Sequence, residues 1–301
     1  MSSAKIIGQP IVSLEYFPPR GLSSERSLMT GAHALRRFSP AYQTVTYGAG
    51  GSETDGSFDW SVRLQNLNEV PTAAHIALCH FSRESLIRFA EDLWEQGIER
   101  LVVLRGDAGG DAGGDGSGDL AGFGSVADAV AALKKLYPFD ISVAAYPEVH
   151  PLATSREADI RNLIAKQDAG ADRTITQYFF DNEDFYRFRD AAEKQGFRRE
   201  IVPGVIPIAS FERIKVFSQK CGARIPEHFH TLFAEAGDDK AAQSAVSRRL
   251  IEEQVRDLAQ NGVSSLHIYT LNRVDLTADA IRAFQGEFDQ NLEAFRPALV
   301  G

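Results

Sequence analysis

Cysteine is scarce in this sequence: only Cys79 and Cys221 occur among its 301 residues. Two cysteines can form one disulfide at most, and two reduced thiols are the commoner state of such a pair in a cytoplasmic protein. No Cys-x-x-Cys or Cys/His spacing typical of a zinc site occurs in the sequence. The cysteines therefore give no reason to expect a disulfide framework or a metal centre.

Long apolar runs and an excess of basic residues are also missing. No apolar segment approaches the ~20 residues of a membrane-spanning helix, and residues 1–10, with one lysine and no apolar core, do not resemble a signal peptide. Basic residues number 32 against 41 acidic ones, a net charge of −9, which disfavours binding to a nucleic-acid backbone. We therefore predict a cytoplasmic protein whose partners are neither nucleic acid nor membrane.

What the sequence does contain is a regular alternation of strand and helix patterns. Eight short segments, most of them rich in β-branched or aromatic residues, are predicted as buried strands: 11–17, 41–48, 74–80, 100–106, 141–147, 173–180, 201–208 and 265–272. Eight such units in ~250–300 residues are typical of a TIM barrel. The fold class is therefore α/β, a (βα)8 barrel in a single domain spanning 1–301. A Rossmann sheet would normally show a glycine fingerprint after its first strand, where Pro18-Pro19-Arg20 stands instead.

Helix signals lie between these strands. The clearest are a helix over 82–96 before Gly97, a helix from the capping box Thr154-x-x-Glu157 to about residue 168, and a helix over 183–195 that begins at Asp181 or Asn182 and ends at Gly196. The long segment 209–264 is predicted to hold at least two helices.

A Gly/Asp-rich segment, 106–124, is the one stretch of low complexity. Its composition favours a flexible surface loop. A phosphate-binding nest and a calcium loop are the alternatives, but four aspartates would repel phosphate and the bidentate glutamate of a calcium loop is missing. Arg105, directly before the loop, is a candidate for binding phosphate or for pairing with a carboxylate.

Catalytic groups of a TIM barrel lie at the C-terminal ends of its strands, and Glu15, in the first predicted strand, is the sharpest candidate there. Desolvation raises the pKa of a carboxyl group, which suits a general acid. The alternative is a carboxylate paired with an internal arginine or lysine of the barrel core. The residue pattern leaves both open.

The other polar or aromatic candidates also have structural alternatives. Asp107 is a catalyst or, more commonly, a turn residue, and His75 is a ligand or, more commonly, a core histidine. Gln177, an amide in an apolar strand, needs partners and could read the edge of a ring. Tyr146 and Phe217 could stack on a flat ring or belong to the core.

Seven motifs in order resemble the methylenetetrahydrofolate reductase family. They are SLEYFPPR at 13–20, TYGA at 46–49, LRGD at 104–107, VAAYPEVHP at 143–151, DAGAD with ITQYFFD at 168–172 and 175–181, PGVIP at 203–207 and YTLNR at 269–273. In that family the TIM barrel binds FAD non-covalently. The resemblance implies reduction of 5,10-methylenetetrahydrofolate to 5-methyltetrahydrofolate with NADH or NADPH, by ping-pong hydride transfer through FAD, in one-carbon metabolism and methionine supply. It also implies a homo-oligomer, either a dimer or a tetramer.

The resemblance further assigns roles to individual residues. Glu15 would protonate the folate N10, and Asp107 would sit by the flavin and pterin and tune both. Gln177 would hold the pterin, Phe217 would pack against nicotinamide or folate, and Arg273 and Thr46 would lie near the substrate. The FAD would be lined by Thr46, Tyr47, His75, Arg105, Gly106, Asp107, Tyr146, His150, Asp159, Asn162 and Lys166.

Two departures from the family pattern affect the expected FAD site. The family often has His-Leu-Thr-Cys where this chain reads HIALC at 75–79, and Ala165 stands where relatives can carry an arginine before the matching Lys166.

Two other hypotheses share the barrel: a flavoenzyme resembling proline dehydrogenase, and a folate- or flavin-binding barrel without turnover. The motifs around Glu15 and Gln177 disfavour the first, and the presence of Glu15, Asp107 and Gln177 together disfavours the second.

Overall fold

The computed structural model describes residues 10–19, 21–47, 56–106 and 120–295, with side chains to residue 286. Strands and helices alternate along most of the chain, in the order β1 (Ile11–Tyr16), α1 (Leu22–Leu35), β2 (Tyr42–Val45), α2 (Ser57–Asn68), β3 (Thr72–Ala77), α3 (Arg83–Glu95), β4 (Arg100–Leu104), α4 (Val126–Leu136), β5 (Asp140–Ala145), α5 (Arg156–Asp168), β6 (Arg173–Thr176), α6 (Asn182–Gln195), β7 (Glu200–Val202), β8 (Gly204–Val205), α7 (Phe211–Cys221), α8 (Glu227–Ala236), α9 (Lys240–Gln260), β9 (Ser265–Tyr269) and α10 (Val274–Phe295).

The sheet is entirely parallel and curves into a nearly closed barrel. Its strand order is β7-β6-β5-β4-β3-β2-β1-β9-β8. Strands β7 and β8 are consecutive pieces of one extended segment: β7 pairs with β6, and β8 pairs with β9. Pro203, which has no N–H to donate, separates the two pieces, and its carbonyl accepts a 3.0 Å hydrogen bond from the His267 N–H. The predicted TIM barrel and its eight strand segments are confirmed.

Most of the strands end earlier than predicted. The segment 173–180 forms a strand only over Arg173–Thr176, and 265–272 forms one only over Ser265–Tyr269. The residues just beyond these ends belong to the mouth of the barrel. Apolar runs do not mark the end of a strand, because they continue into the buried loops that follow.

The predicted helices are present, with one correction at a helix start. Ser82 caps α3 through a capping box with Ser85, and Asp181 caps α6. Helix α5, however, is capped by Ser155 and not by Thr154: the Ser155 Oγ accepts a 3.2 Å bond from the Ala158 N–H. Ser155 is the residue with extended backbone immediately before the helix, so its hydroxyl reaches the free N–H groups of the first turn. The segment 209–264 holds three helices, α7, α8 and α9.

Apolar side chains fill the space between the sheet and the helices, while the barrel interior is partly polar. On β1, Val12, Leu14 and Tyr16 are buried against the helices, so the alternating residues face inward. At the amino ends of the strands the interior holds an ionic cluster in which Asp140 pairs with Arg100 at 2.7 Å and also with Arg173. Charged groups at this end of a TIM barrel contribute to stability and leave the opposite end for chemistry.

Two further expectations can be compared with the structure. Cys79 and Cys221 both keep their thiols and are not joined in a disulfide, as predicted. Across the described ranges, no helix combines the length and the apolar character needed to cross a membrane.

Candidate active site

Polar side chains from several strands converge at the carboxyl-end half of the barrel interior. Glu15 comes from β1, His75 from β3, and His267 and Tyr269 from β9, while Thr46 directly follows β2. The register of the sheet sets Glu15 beside Tyr269 on one neighbouring strand and beside Thr44 on the other. The parallel strands therefore bring together residues that are up to about 250 positions apart in the chain.

The carboxylate of Glu15 lies between two imidazoles. Its Oε2 atom is 3.3 Å from the Nε2 of His75 and 3.2 Å from the Nε2 of His267. The side chain of His267 is fully buried, and that of Glu15 is 12% exposed. The partner of Glu15 is thus a pair of histidines, and neither the isolated carboxyl nor the arginine or lysine pairing expected from the sequence is observed.

The pKa of Glu15 corrects the sequence-based expectation. Burial by itself raises this pKa, but the charges and hydrogen bonds of His75 and His267 together outweigh burial and bring it to about 2, below its ordinary 4.5. The predicted upward shift is wrong because it considered desolvation without the charge partners, and such partners within hydrogen-bond distance favour the ionised form. Glu15 is therefore a carboxylate at neutral pH.

His267 is the residue of this site that the sequence reasoning missed. Its Nδ1 lies 2.8 Å from the Ser13 Oγ, and the His75 Nε2 lies 3.0 Å from the Thr44 Oγ1. The available signal was the alternation in SLHIY at 265–269, which puts one histidine on the inner face of a barrel strand. Both imidazoles are held by a hydroxyl from a neighbouring strand.

Thr46 presents a polar atom that nothing else in the described part of the chain satisfies. Its Oγ1 is buried and has no hydrogen-bond partner there, whereas its N–H donates to the Tyr16 carbonyl at 3.0 Å. The next residue, Tyr47, packs its ring against Phe81 and Phe89. Because buried hydroxyl groups are normally paired, the position of Thr46 at the barrel mouth fits a bound polar ligand.

The turn after β4 brings the backbone close to β3. Gly106 has φ +85°, and a Cβ at this position would collide with the Cys79 Sγ and lie 2.9 Å from the Ala77 Cβ. The Arg105 carbonyl accepts a 3.0 Å bond from the Cys79 N–H. Glycine is required here because its backbone adopts positive φ and fits against the neighbouring strand. Asp107 and residues 108–119 lie outside the described residues.

The segment after β5 and one face of α5 form a further group. The Tyr146 ring packs edge-on against His150 with centroids 4.5 Å apart, and the His150 N–H donates to the Asp159 Oδ2 at 3.0 Å. Asp159, Asn162 and Lys166 are spaced by three and four residues, which places them on one face of the helix, although Asn162 is exposed.

Lys166 lies on the same helix face and points back to the sheet. Its Nζ donates to the Ala144 carbonyl at 3.0 Å. Burial lowers the pKa of this ammonium group, while the charge of Asp159 acts in the opposite direction. A partly desolvated cation at the mouth has the chemistry to hold a phosphate oxygen.

Gln177 and Phe217 lie on segments that a hydrogen bond holds together. Gln177 directly follows β6, and its Oε1 accepts a 3.0 Å bond from the Tyr178 N–H. The Tyr178 hydroxyl and the Ser218 Oγ are 3.2 Å apart, which ties the end of β6 to α7. Phe217 precedes Ser218 and is 43% exposed. An exposed aromatic ring of this kind is available for contact with a ligand.

Arg273 lies in the turn after β9, at the rim. Its guanidinium group contacts the Asp275 carboxylate at 3.2 Å. Leu271 and Asn272, just before it, have positive φ values of 48° and 55°. Non-glycine residues in this region are uncommon and cluster at functional sites.

The chain is similar to known proteins over most of its length. The family model for methylenetetrahydrofolate reductase matches residues 2–285. The 5,10-methylenetetrahydrofolate reductase of Pectobacterium carotovorum subsp. carotovorum is 39% identical over 276 residues, which cover 92% of this chain and 90% of that protein. The protein of the same name from Escherichia coli (strain K12) is 38% identical over 276 residues, with 92% and 91% covered.

A solved structure has the same fold. A Clostridium thermocellum protein described as binding two copies of 5-methyl-5,6,7,8-tetrahydrofolic acid superposes with a TM-score of 0.64 at 15% identity, covering 94% of this chain and 97% of that one. At this identity the likeness shows the fold alone.

Proposed function

The chain belongs to the methylenetetrahydrofolate reductase family, and with it to the oxidoreductases of one-carbon metabolism; on that premise we propose that it reduces 5,10-methylenetetrahydrofolate to 5-methyltetrahydrofolate with NADH or NADPH, using FAD in a ping-pong reaction. The observation that carries this proposal is Glu15, buried at the barrel mouth between two imidazoles. The folate description of the Clostridium thermocellum protein, which shares the fold, is consistent with it.

The proposed reaction needs a proton at the folate N10, and we propose that Glu15 supplies it. The imidazolidine ring of methylenetetrahydrofolate must open before hydride can add to its one-carbon unit. Ring opening breaks the bond between that carbon and N10, and N10 keeps the electron pair and takes up a proton. Since N10 is a poor base, a positioned acid is required, and such catalysis typically contributes about 10²–10⁴ in rate. We assign this proton transfer to Glu15, whose carboxylate must first take up a proton in the substrate complex because it is ionised in the protein alone.

Several described residues fit a bound FAD. The unpaired buried Oγ1 of Thr46 offers a hydrogen bond, Gly106 lets the backbone approach closely, and Lys166 supplies a cation. Tyr146 and His150 form an aromatic pair that fits one side of a flat ring or a ribose. FAD, when bound, would supply the hydride chemistry, receiving hydride from the nicotinamide and passing it to the folate.

Other residues are assigned to the two substrates, which would use the same face of the site in turn. Gln177 offers an amide that can donate and accept hydrogen bonds at the edge of the pterin. The exposed ring of Phe217 offers a surface for the nicotinamide or the folate. Arg273 offers a positive charge at the rim. Asp107, next in the chain after Gly106, remains assigned to tuning the flavin and pterin.

The first experiment is a visible spectrum of the purified protein, followed anaerobically by NADH or NADPH and then by methylenetetrahydrofolate. We expect a flavin absorbance band that bleaches with the nicotinamide and returns with the folate. A colourless protein that cannot be loaded with FAD would contradict the proposal. Bleaching without folate-dependent return would instead support a flavoenzyme with another substrate.

Glu15→Gln then tests the assigned role of the carboxyl group. The variant should keep nicotinamide oxidation with an artificial acceptor and lose folate reduction. Glu95→Gln, at an exposed position on α3, is the control and should retain both activities. Folate turnover near the wild-type rate in Glu15→Gln would exclude Glu15 as the acid.

A further inference from the structure

Helix α7 carries Phe217, yet little of this helix is packed against the barrel. Ile214 and Ser218 are the buried residues among its eleven, and Val216 is largely exposed. A helix with few buried contacts opens more readily than a core helix. If Phe217 is to meet the ring of a substrate, α7 must be held in place by contacts near its end, a requirement that rests on the proposed function.

The first anchor of α7 is Tyr178, the residue after Gln177. Its hydroxyl lies 3.2 Å from the Ser218 Oγ, and the Cys221 thiol donates to it at 3.3 Å. These contacts set the last turn of α7 against the segment that follows β6. Gln177 and Phe217, both assigned to the substrates, are thereby tied to one another.

The second anchor is Glu148, in the same turn after β5 as His150, which is assigned to FAD. The Glu148 Oε1 accepts a 2.8 Å hydrogen bond from the backbone N–H of Arg224, in the segment between α7 and α8. The Pro151 ring packs against the same segment, since a Cβ added at Gly222 would lie 3.3 Å from the Pro151 Cγ. The turn on the FAD side is therefore joined to the end of α7.

The guanidinium group of Arg224 brings a third segment to this junction. Its Nη2 lies 2.9 Å from the Asp181 Oδ2 and 2.9 Å from the Asp184 Oδ2, at the start of α6. Asp184 is buried, and a buried carboxylate is normally paired. Through its backbone and its side chain, Arg224 thus connects the turns after β5 and β6 with the end of α7.

The backbone next to Glu148 is strained. Val149 has φ +85°, a conformation that a β-branched residue rarely adopts. Such a conformation persists where the surrounding contacts hold it. Glu148 is bonded on one side of Val149, and on the other side the His150 N–H donates to the Asp159 Oδ2 at 3.0 Å. The strain indicates that bonds at both ends keep this turn in one shape.

We propose that Glu148 and Arg224 form a latch that holds α7, and with it Phe217, in position for the nicotinamide and folate rings. Both are positioning residues, because they act through α7 and are assigned no contact with a substrate. The FAD side of the turn has its own supports: the bond to α5 described above, and the Arg156 guanidinium group, which donates to the Pro147 carbonyl at 3.0 Å. Opening the latch should therefore weaken substrate binding and leave FAD binding nearly unchanged.

The protonation state of Glu148 should set the strength of the latch. Burial, aided by the charges of Asp184 and Asp181, raises the pKa of Glu148 to about 7, so the closed latch favours the neutral carboxyl group. A rising pH ionises this group beside the two aspartates and favours the open latch, in which the carboxylate is solvated. The other charged or titratable groups that face Glu148 are Arg224, Tyr178 and Cys221.

The decisive comparison is Glu148→Ala with Glu148→Gln, since glutamine keeps an acceptor for the Arg224 N–H and alanine does not. In mild acid, the alanine variant should raise the KM for the folate and for the nicotinamide by about 3- to 10-fold, the equivalent of one hydrogen bond. Its kcat and its Kd for FAD should stay within about twofold of wild type. The glutamine variant should match wild type under these conditions.

Glu235→Ala removes an exposed glutamate of the neighbouring helix α8 and is the matched control, which should change none of these values. Wild-type KM values in Glu148→Ala would overturn the proposal. A loss of FAD affinity as large as the loss of folate affinity would also overturn it, because that result would indicate a general structural role.

A pH series tests the role of the Glu148 proton. The folate KM of wild type, divided by that of Glu148→Gln, should be near one in mild acid and should rise as the pH passes about 7. The ratio cancels the titration of groups that the two proteins share. A ratio that does not change with pH would overturn control of the latch by protonation.

Hydrogen–deuterium exchange measures the latch without any activity. Backbone amides over 211–226 should exchange about 10-fold faster in Glu148→Ala than in wild type, and at the wild-type rate in the control. Arg224→Gln keeps the backbone N–H but loses the bridge to Asp181 and Asp184, so it should also speed exchange. Unchanged exchange in both variants would overturn the proposal.

These results also separate the latch from the proposed function. If the wild-type protein shows neither bleaching by the nicotinamide nor folate-dependent reoxidation, the proposed function fails, while hydrogen exchange still decides whether Glu148 holds α7. If the wild type performs both steps and Glu148→Ala has wild-type KM values, the proposed function stands and the positioning role of Glu148 fails.

Discussion

The side-chain amide of Asn272 forms two hydrogen bonds with the backbone of Phe17. The Phe17 N–H donates to the Asn272 Oδ1, and the Asn272 Nδ2 donates to the Phe17 carbonyl, both at 3.0 Å. The turn after β9 is thereby fixed to the turn after β1, the strand that carries Glu15. Arg273 follows Asn272 in the same turn, and its guanidinium group contacts the Asp275 carboxylate.

Asn272→Gly should weaken this connection without straining the backbone. Glycine tolerates the positive φ of this position, so the loss isolates the two hydrogen bonds, worth about 1–3 kcal/mol together. We expect a lower unfolding free energy and a higher KM for the folate. Asn272→Asp keeps the acceptor for the Phe17 N–H but sets a carboxylate oxygen against the Phe17 carbonyl, so it should also be less stable than wild type. Unchanged thermal unfolding of the glycine variant would contradict this account.

Glu15 should give the protein a stability that disappears in acid. Its pKa in the folded state is about 2 against an ordinary 4.5, so the contribution is present above pH 4.5 and is lost as the pH falls toward 2. A shift of this size corresponds to roughly 3 kcal/mol. Denaturant unfolding should show wild type more stable than Glu15→Gln near neutral pH, with the difference shrinking below pH 4.5. A difference independent of pH would refute the assignment.

Glu148 should give the folded protein the opposite dependence of stability on pH. Burial, together with the charges of Asp184 and Asp181, raises its pKa to about 7, although the Arg224 N–H donates to it at 2.8 Å and the Arg224 charge also opposes the shift. The stability associated with its protonated form is present below pH 4.5 and is lost as the pH rises through about 7.

Glu148→Gln keeps an acceptor for Arg224 and removes the charge. Because Glu148 is partly exposed, we expect a reduced gain of about 1–2 kcal/mol above neutral pH and little change in mild acid. Unfolding curves at the two pH values check this expectation. A glutamine variant that is less stable than wild type at the higher pH would contradict it.

Gly106→Ala should lower the unfolding free energy by more than the strain of a positive φ alone. Gly262 has a similar φ, +80° against +85°, but no atom of the described residues lies within 4 Å of the place that its added methyl group would take. Gly262→Ala therefore measures backbone strain alone, about 1–2 kcal/mol. Gly106→Ala should cost more and weaken FAD binding, since the methyl group meets Cys79 and Ala77. Equal losses in the two variants would mean that the close approach at Gly106 is unimportant.

Thr46→Val should separate ligand binding from stability. The Thr46 hydroxyl has no partner in the described structure, so the apoprotein should be as stable as wild type or slightly more stable. The Kd for FAD should rise by about 2- to 12-fold, the equivalent of one hydrogen bond. Thr174→Val is the matched control: it removes a satisfied 2.8 Å bond to the Val143 carbonyl and should lower stability without changing FAD affinity. Unchanged FAD affinity in Thr46→Val would remove Thr46 from the binding site.

Much of the architecture could be predicted from local patterns. Buried strands appear as apolar runs, and helix limits as residues such as Ser82 and Gly97, because these signals depend on neighbours within a few positions. The same locality explains the errors: the cap of α5 moved from Thr154 to Ser155, and the ends of most strands were overextended. The predicted dimer or tetramer and the cytoplasmic location remain predictions.

By itself, the sequence determined the barrel, the family and the residue types at the strand ends, since each of these follows from spacing and local chemistry along the chain. Only the tertiary structure decided that Glu15 is ionised, that His267 is its partner, and that the Thr46 hydroxyl is left unpaired among the described residues. The physical reason is that a pKa and the satisfaction of a hydrogen bond depend on groups a few ångströms away in space. In a parallel barrel those groups come from different strands, here 252 residues apart for Glu15 and His267.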